Sequence, residues 1–336
     1  MANEIESFGI ETPLFLSNAV SCIGGREENQ DSTTIIETRR GLLVVVCDGM
    51  GGMAGGATAS STAVKVISEY VSMLGVEDDI EVDNRMTLIK AISQANSKLF
   101  EMSQTVPGLA GMGTTVTALL INEDKASVAY VGDSRVYQIR GGRKIFRTFD
   151  HSMVFEMVKK KIITEEQARL SSQSNIILRA LGLKEDVDIE TYDLPYDKGD
   201  VFLLCTDGIW GTMPEKELLK RVSQKQHPKV ISETLAMNVH NDAIRAGGGH
   251  DNLTAAIVKT NIDSKTRSIM ERKIKTALAA CLVVLLLSLA LNAIMTTKAI
   301  RTNVKYNNLR DSIESSKKVQ QPQIDSTTLK LNEQEK

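Results

Sequence analysis

A chain of 336 residues, 42% of them hydrophobic, is long and apolar enough to bury a substantial core, which excludes a disordered protein. Its net charge of -2 and aromatic content of 4% supply neither a basic field nor stacking platforms, so no nucleic-acid partner is indicated. The four cysteines, Cys22, Cys47, Cys205 and Cys281, form no Cys-x-x-Cys pair and the four histidines are scattered, which favours reduced thiols and argues against zinc.

The N-terminus is acidic and lacks a basic stretch followed by an apolar one, so residues 1–9 read as an extension without a cleaved signal, and the chain is expected to begin in the cytoplasm. The apolar run 41–47 predicts a buried strand. Helices are expected over 57–74 and 84–106, then strands over 115–121 and 126–131 joined by the hairpin turn Asn122-Glu-Asp-Lys125. A helix over 153–170, a strand over 201–205, a helix over 228–245 and a strand over 253–258 complete the pattern. Two consecutive helices followed by sequential strands with turns favour an α+β layered domain with mostly antiparallel sheets, occupying residues 10–262.

Residues 263–275 read as a basic linker. The stretch 276–297 then carries no charged residue, and about 20 apolar residues suffice to cross a membrane as a helix. A buried core helix is the alternative, disfavoured by flanks this basic. Lys259, Lys265, Arg267, Arg272, Lys273 and Lys275 precede the span, against Lys298, Arg301, Lys305 and Arg310 after it, a modest bias toward a cytoplasmic N-terminal domain. The polar tail 298–336 is too poor in apolar residues to fold alone and reads as a disordered extracytoplasmic extension.

Asp31, Asp48, Asp207 and Asp251 each stand where an apolar run ends or a turn begins, so strand ends distant in sequence could gather all of them in one cleft. Carboxylate and carbonyl oxygens without soft ligands suit Mg²⁺ or Mn²⁺. Each site alone has a bland reading, since Asp-Gly is a common turn signal. The loop Asp48-Gly-Met-Gly-Gly52 lacks the Lys-Ser/Thr of a Walker loop and the G-x-G-x-x-G spacing, so it is no ordinary nucleotide loop. Glycine after Asp48 instead lets a backbone carbonyl approach a cation.

The ordered set Arg26-x-x-Asn-Gln-Asp31, Asp48-Gly-Met-Gly-Gly52, Met112-Gly-Thr-Thr115, Val131-Gly-Asp-Ser-Arg135, Asp150-His-Ser152, Asn175 to Gly182, Thr206-Asp-Gly208 and Asp251-Asn252 resembles the metal-dependent type 2C protein phosphatases in their bacterial form. The resemblance implies a central antiparallel β-sandwich flanked by helix pairs, a four-layer αββα fold, followed here by one transmembrane helix. It further implies a serine/threonine phosphoprotein phosphatase with two Mn²⁺ or Mg²⁺ ions and a weaker third. Carried over by motif, Asp48 bridges both metals, the Gly49 carbonyl completes the first site, Asp207 and Asp251 hold the second, and Asp31 acts through water. Arg26 binds the substrate phosphate, and Asp133 joins Asp207 at the third ion.

The implied reaction is phosphomonoester hydrolysis by a hydroxide activated between two metals, without a covalent intermediate, which agrees with the absence of a Cys-x5-Arg signature. Phosphoserine and phosphothreonine proteins and cytoplasmic serine/threonine kinases are the implied partners. Met50 stands where eukaryotic relatives place a histidine proton donor, and His250 is a candidate substitute, against a merely structural histidine. Residues 146–185 match the family's flap, and Lys159–Lys161 there read either as an attractor of acidic phosphopeptides or as a solvated helix face. The rival from another class is a catalytically silent phosphoprotein-binding sensor or scaffold, which the intact aspartate set argues against. A metal-dependent nuclease lacks any basic track.

Overall fold

Strand β4 (Gly41–Met50) is apolar on both faces because both faces are covered. Leu43, Val45 and Cys47 pack with helical residues such as Ala63, Ile67 and Leu88, whereas Val44 and Val46 face Phe202, Leu204 and Val258 of a second sheet. That alternation is the period of two along a strand, and it makes a continuous apolar run the signature of a doubly covered sheet. The computed structural model describes residues 5–52, 55–74 and 83–319, which divide into two compact units, Met1–Met270 and Glu271–Lys336.

In the first unit, β4 belongs to a sheet with β3 (Asp31–Thr38), β5 (Gly113–Thr114), β6 (Val116–Ile121), β7 (Ala126–Val131) and β10 (Glu190–Leu194). The strand order is β10-β7-β6-β4-β3, with β5 paired to the end of β4. The other sheet comprises β1 (Glu6–Phe8), β2 (Phe15–Cys22), β8 (Arg135–Arg140), β9 (Arg143–Arg147), β11 (Val201–Cys205) and β12 (Leu253–Thr260), in the order β1-β2-β12-β11-β8-β9. Every strand pairing among the described residues is antiparallel. Residues 6–8, read from sequence as part of an extension, thus form an edge strand.

Helices α1 (Gly55–Met73) and α2 (Asn84–Thr105) cover one sheet. The other is covered by α7 (Pro228–Arg245) with the shorter α3 (Met153–Lys159), α4 (Glu165–Arg169), α5 (Asp207–Trp210) and α6 (Glu215–Val222). The four-layer αββα sandwich expected from the motifs is therefore present. The single helix expected over 153–170 is two: Lys161 takes a left-handed φ of 58°, which ends α3, and Thr164 opens α4 through a capping box with Gln167.

Strand direction sorts the chemistry to one end. Asp31 begins β3, Asp48 lies near the end of β4, Asp133 follows β7, Asp207 follows β11 and Asp251 precedes β12. The turns 39–40, 122–125 and 197–200 lie at the other end, about 20 Å or more away along strands of this length.

The part of α8 (Lys265–Val319) that belongs to the second unit contains one segment long and apolar enough to cross a membrane, by length and composition, and its described residues from Arg272 to Lys317 are all exposed. The helix continues past the apolar span into residues read from composition as unstructured. Pairs one turn apart, such as Arg310 with Glu314 at 3.2 Å, add local support there. Residues 320–336 of the predicted tail lie outside the described residues.

Candidate active site

Asp31 and Asp48 are direct partners across the β3–β4 pairing. The backbone of Asp48 is held on both sides: its N–H donates to Thr115 Oγ1 at 2.9 Å, and its carbonyl accepts from the Thr115 N–H and the Thr114 hydroxyl, each at 2.8 Å. The Thr115 hydroxyl also pairs with Ser134 Oγ at 2.8 Å, so one side chain ties the Asp48 strand to the Asp133 turn. That turn reverses at Gly132, φ +108°, where a Cβ would come within 2.7 Å of the Thr115 side chain. At Gly49 a Cβ would lie 2.1 Å from the Gly56 carbonyl oxygen, so the loop after β4 closes only over a bare backbone.

The Asp251-Asn252 pair works on the opposite wall. Asn252 Oδ1 accepts from the Gln30 N–H at 2.9 Å, while its Nδ2 donates to the carbonyls of Ile23 at 2.8 Å and Glu28 at 3.0 Å. These bonds staple the loop that carries Arg26. The guanidinium of Arg26 reaches Asp251, Nη2 to Oδ2 at 2.8 Å.

Arg26, Asp48, Gly49, Asp133, Asp207 and Asp251 line a single cleft of about 860 Å³, together with Met50 and the flap residues Asn175, Ile176 and Ile177. Asp31 lies beneath it, 7% exposed, its Oδ2 accepting from the Thr206 hydroxyl at 3.0 Å. Size alone does not mark the site. A cavity of about 1000 Å³ opens at the other end of the sandwich, but Asp83 there is already paired with Lys125 at 2.8 Å.

The electrostatics of the cleft call for cations. Burial, and then the charges of Asp207 and Asp251, push the Asp31 carboxyl up to about 7, against hydroxyl bonds that lower it. Burial and the Asp251 charge push Asp207 up to about 6. Asp48 and Asp133 are raised well above the ordinary carboxylate range, by burial first and neighbouring aspartates second. Carboxylates crowded in this way ionise together only when positive charge joins them. Asp133 Oδ1 is buried with no hydrogen-bond partner among the described residues. Among those residues no three His, Cys, Asp or Glu side chains already surround one ion position, and Asp251 is engaged by Arg26. The donor set is nevertheless all hard oxygen, and with the Gly49 carbonyl it fits Mg²⁺ or Mn²⁺.

The flap is hung from the Asp133 turn. The His151 N–H donates to the Gly132 carbonyl at 2.9 Å, and the Gly132 N–H donates to His151 Nδ1 at 3.2 Å. Leu178 N–H then donates to the His151 carbonyl at 2.7 Å, which brings Asn175 to Ile177 against the cleft. Lys159 is paired with Glu156 at 3.0 Å, as on a solvated helix face. His250 lies outside the cleft lining, its Nε2 3.0 Å from His240 Nδ1. Sequence reasoning also passed over Trp210, one helical turn after Asp207, whose indole N–H donates to the Asp133 carbonyl at 3.0 Å.

The profile of the family described as protein phosphatase 2C matches residues 20–245, more than half of the chain. The chain belongs to the protein phosphatase 2C family. This type 2C chain is 32% identical over 246 residues to the serine/threonine phosphatase stp of Listeria innocua, covering 72% of this chain and 94% of the relative. It is 31% identical over 237 residues to the protein phosphatase PhpP of Streptococcus pneumoniae, covering 70% and 93%. Among solved structures, the catalytic domain of the serine/threonine phosphatase PstP in complex with two manganese ions superposes with a TM-score of 0.61 at 28% identity, covering 74% of this chain and 99% of that one. The type 2C fold and the serine/threonine phosphatase class thus apply to this chain.

Proposed function

We propose that this type 2C phosphatase is anchored in the cell membrane by residues 276–297 and removes phosphate from phosphoserine and phosphothreonine proteins on the cytoplasmic side, opposing the serine/threonine kinases there. The gathering of Asp48, Asp133, Asp207, Asp251 and Arg26 around one cleft, over buried Asp31, carries this reading. In it, Asp48 and the Gly49 carbonyl would hold one Mn²⁺ or Mg²⁺, Asp48, Asp207 and Asp251 would hold a second, and Asp133 with Asp207 would take a weaker third, while Asp31 would act through water. Such a centre supplies an activated water and offsets charge on the phosphoryl oxygens.

The chain's own groups do the rest. Arg26 offers a planar set of donors matched to phosphoryl oxygens, and taking them up releases Asp251. Among the described residues the cleft lining holds no serine, threonine, cysteine or histidine, and in this reading Asp48, Asp133, Asp207 and Asp251 are taken up by the ions, which supports direct attack by water over a covalent enzyme intermediate. Met50 has no proton to donate to the departing side-chain oxygen. Ile176 and Ile177 give the flap wall an apolar surface against which a substrate chain can lie.

The test is turnover by the full-length protein in detergent. A phosphothreonine peptide and p-nitrophenyl phosphate are hydrolysed with Mn²⁺ and not after EDTA. Undiminished turnover in EDTA refutes the metal reading, and no turnover with any divalent ion favours the silent scaffold.

A further inference from the structure

Trp210 is the only tryptophan of the chain, 4% exposed, and it closes the single turn that Asp207 opens. Its ring is clamped. The Arg135 guanidinium lies 3.5 Å from the ring centroid, and Phe155 meets the ring edge-on at 6.3 Å. Arg135 is itself fixed by a two-pronged pair with Asp150, Nε to Oδ1 at 2.8 Å and Nη2 to Oδ2 at 2.7 Å, and by the Tyr137 hydroxyl at 3.0 Å.

A buried ion pair of this kind is a weak device for stability, because desolvating both charges offsets most of their attraction. Its geometric effect is definite: the indole has one orientation, and its N–H points at the Asp133 carbonyl. The other ties on the Asp133 turn, through Ser134 to Thr115 and through Gly132 to His151, come from elsewhere in the fold. The indole bond is the tie that comes from Asp207's own helical turn. It therefore ties the Asp133 backbone directly to the turn that begins at Asp207, and Asp133 keeps a buried oxygen without a partner among the described residues.

We propose that Trp210 is a positioning residue that holds Asp133 against Asp207 as a preformed half-site for the weaker cation, with Arg135 and Asp150 locking the indole. The inference rests on the reading that Asp133 and Asp207 share a cation, and the experiment separates the two. Mn²⁺ binding to the full-length protein in detergent is followed by the electron spin resonance of the free ion, for wild type, Asp133→Asn and Trp210→Phe. The phenylalanine keeps a ring beneath Arg135 and removes the N–H.

In Asp133→Asn the weaker class of Mn²⁺ sites is lost. In Trp210→Phe it weakens about tenfold while the tighter class is unchanged, the size expected for a group that orients a ligand. A Trp210→Phe chain in which every class weakens in parallel has lost general structure, and that result overturns the proposal. Asp133→Asn with the weaker class intact overturns the underlying reading. Loss of that class in Asp133→Asn alone, with Trp210→Phe like wild type, overturns the positioning role only. Should Trp210→Phe fail to fold, wild-type emission decides: the sole tryptophan responds as the weaker sites fill, and the response is absent in Asp133→Asn. No change in emission through that phase overturns the proposal.

Discussion

Arg26 and Asp251 are joined across the mouth of the cleft, Nη2 to Oδ2 at 2.8 Å, although 225 residues separate them. Each is assigned a role that requires it to leave the other, the arginine for phosphate and the aspartate for a cation. Both are about half exposed, so the pair adds little to stability. Arg26→Ala is accordingly expected to lower kcat/KM for a phosphothreonine peptide about 10²-fold, in the range for loss of one well-placed donor. Its Mn²⁺ affinity holds or rises, because a competing cation is gone. Steady-state kinetics and Mn²⁺ titration check both halves, and an unchanged kcat/KM removes Arg26 from the phosphate site.

Asp207→Asn should separate activity from stability. The substitution removes a ligand and is expected to cost at least about 10²-fold in turnover. It also removes a carboxylate that burial and Asp251 hold at about 6, so in EDTA near pH 8 the variant unfolds at a higher temperature than wild type. Thermal unfolding with and without metal is the measurement, and a lower unfolding temperature in EDTA contradicts the repulsion inferred for the cleft.

The raised carboxyls give metal-free stability a definite sign with pH. The folded state of Asp31, at about 7, and of Asp207, at about 6, holds protons that the unfolded chain releases near 3.8. Their contribution is therefore fully present below the unfolded value and is lost as pH rises through the folded ones. Unfolding temperature in EDTA should fall between about pH 4 and pH 7 on this account, and added Mn²⁺ should raise it more at pH 8 than at pH 5.5. Scanning calorimetry at those pH values decides, and a metal-free protein most stable at pH 8 sinks the prediction.

The end of the folded unit lies past Ile262. Ser264 is fully buried, its hydroxyl accepting from the Tyr196 N–H at 3.0 Å while its own N–H donates to the Tyr196 carbonyl at 2.9 Å. A chain ending at Ile262 loses both bonds and is expected to be about 2 kcal/mol less stable than one ending at Met270, at roughly 1 kcal/mol per bond. Denaturant melts of the two truncations are the check, and equal midpoints mean that the Ser264 contacts contribute nothing.

Deleting residues 276–297 should release the protein from the membrane pellet to the soluble fraction, and a reporter fused after residue 336 should register outside the cytoplasm. Retention in the pellet after the deletion, or a cytoplasmic reporter, counts against the single span.

The residues that carry the site were legible where their signal is local. An aspartate at the end of an apolar run, followed by glycine, marks a strand end whatever lies across from it, so Asp48 and Asp207 stood out, and the order of the motifs supplied the fold. Strands β2, β3 and β8 were not legible, because their buried positions hold polar groups whose partners are distant in sequence. Asn18 bonds Ser232 at 2.9 Å and Gln138 bonds Asp200 at 2.8 Å, and without those partners such residues read as surface.

By itself the sequence determined which residue types stand at the strand ends, and hence that hard cations are the chemistry to expect, while the resemblance carried by the ordered motifs added the substrate phosphate. Only the tertiary structure decided how they meet: Thr115 tying the Asp48 strand to Ser134 of the Asp133 turn, Asn252 stapling the Arg26 loop, and Trp210 joining the Asp133 and Asp207 turns. Those relations depend on strand register and on which layer covers which face. Both are set by the packing of the whole sandwich rather than by any window of neighbouring residues.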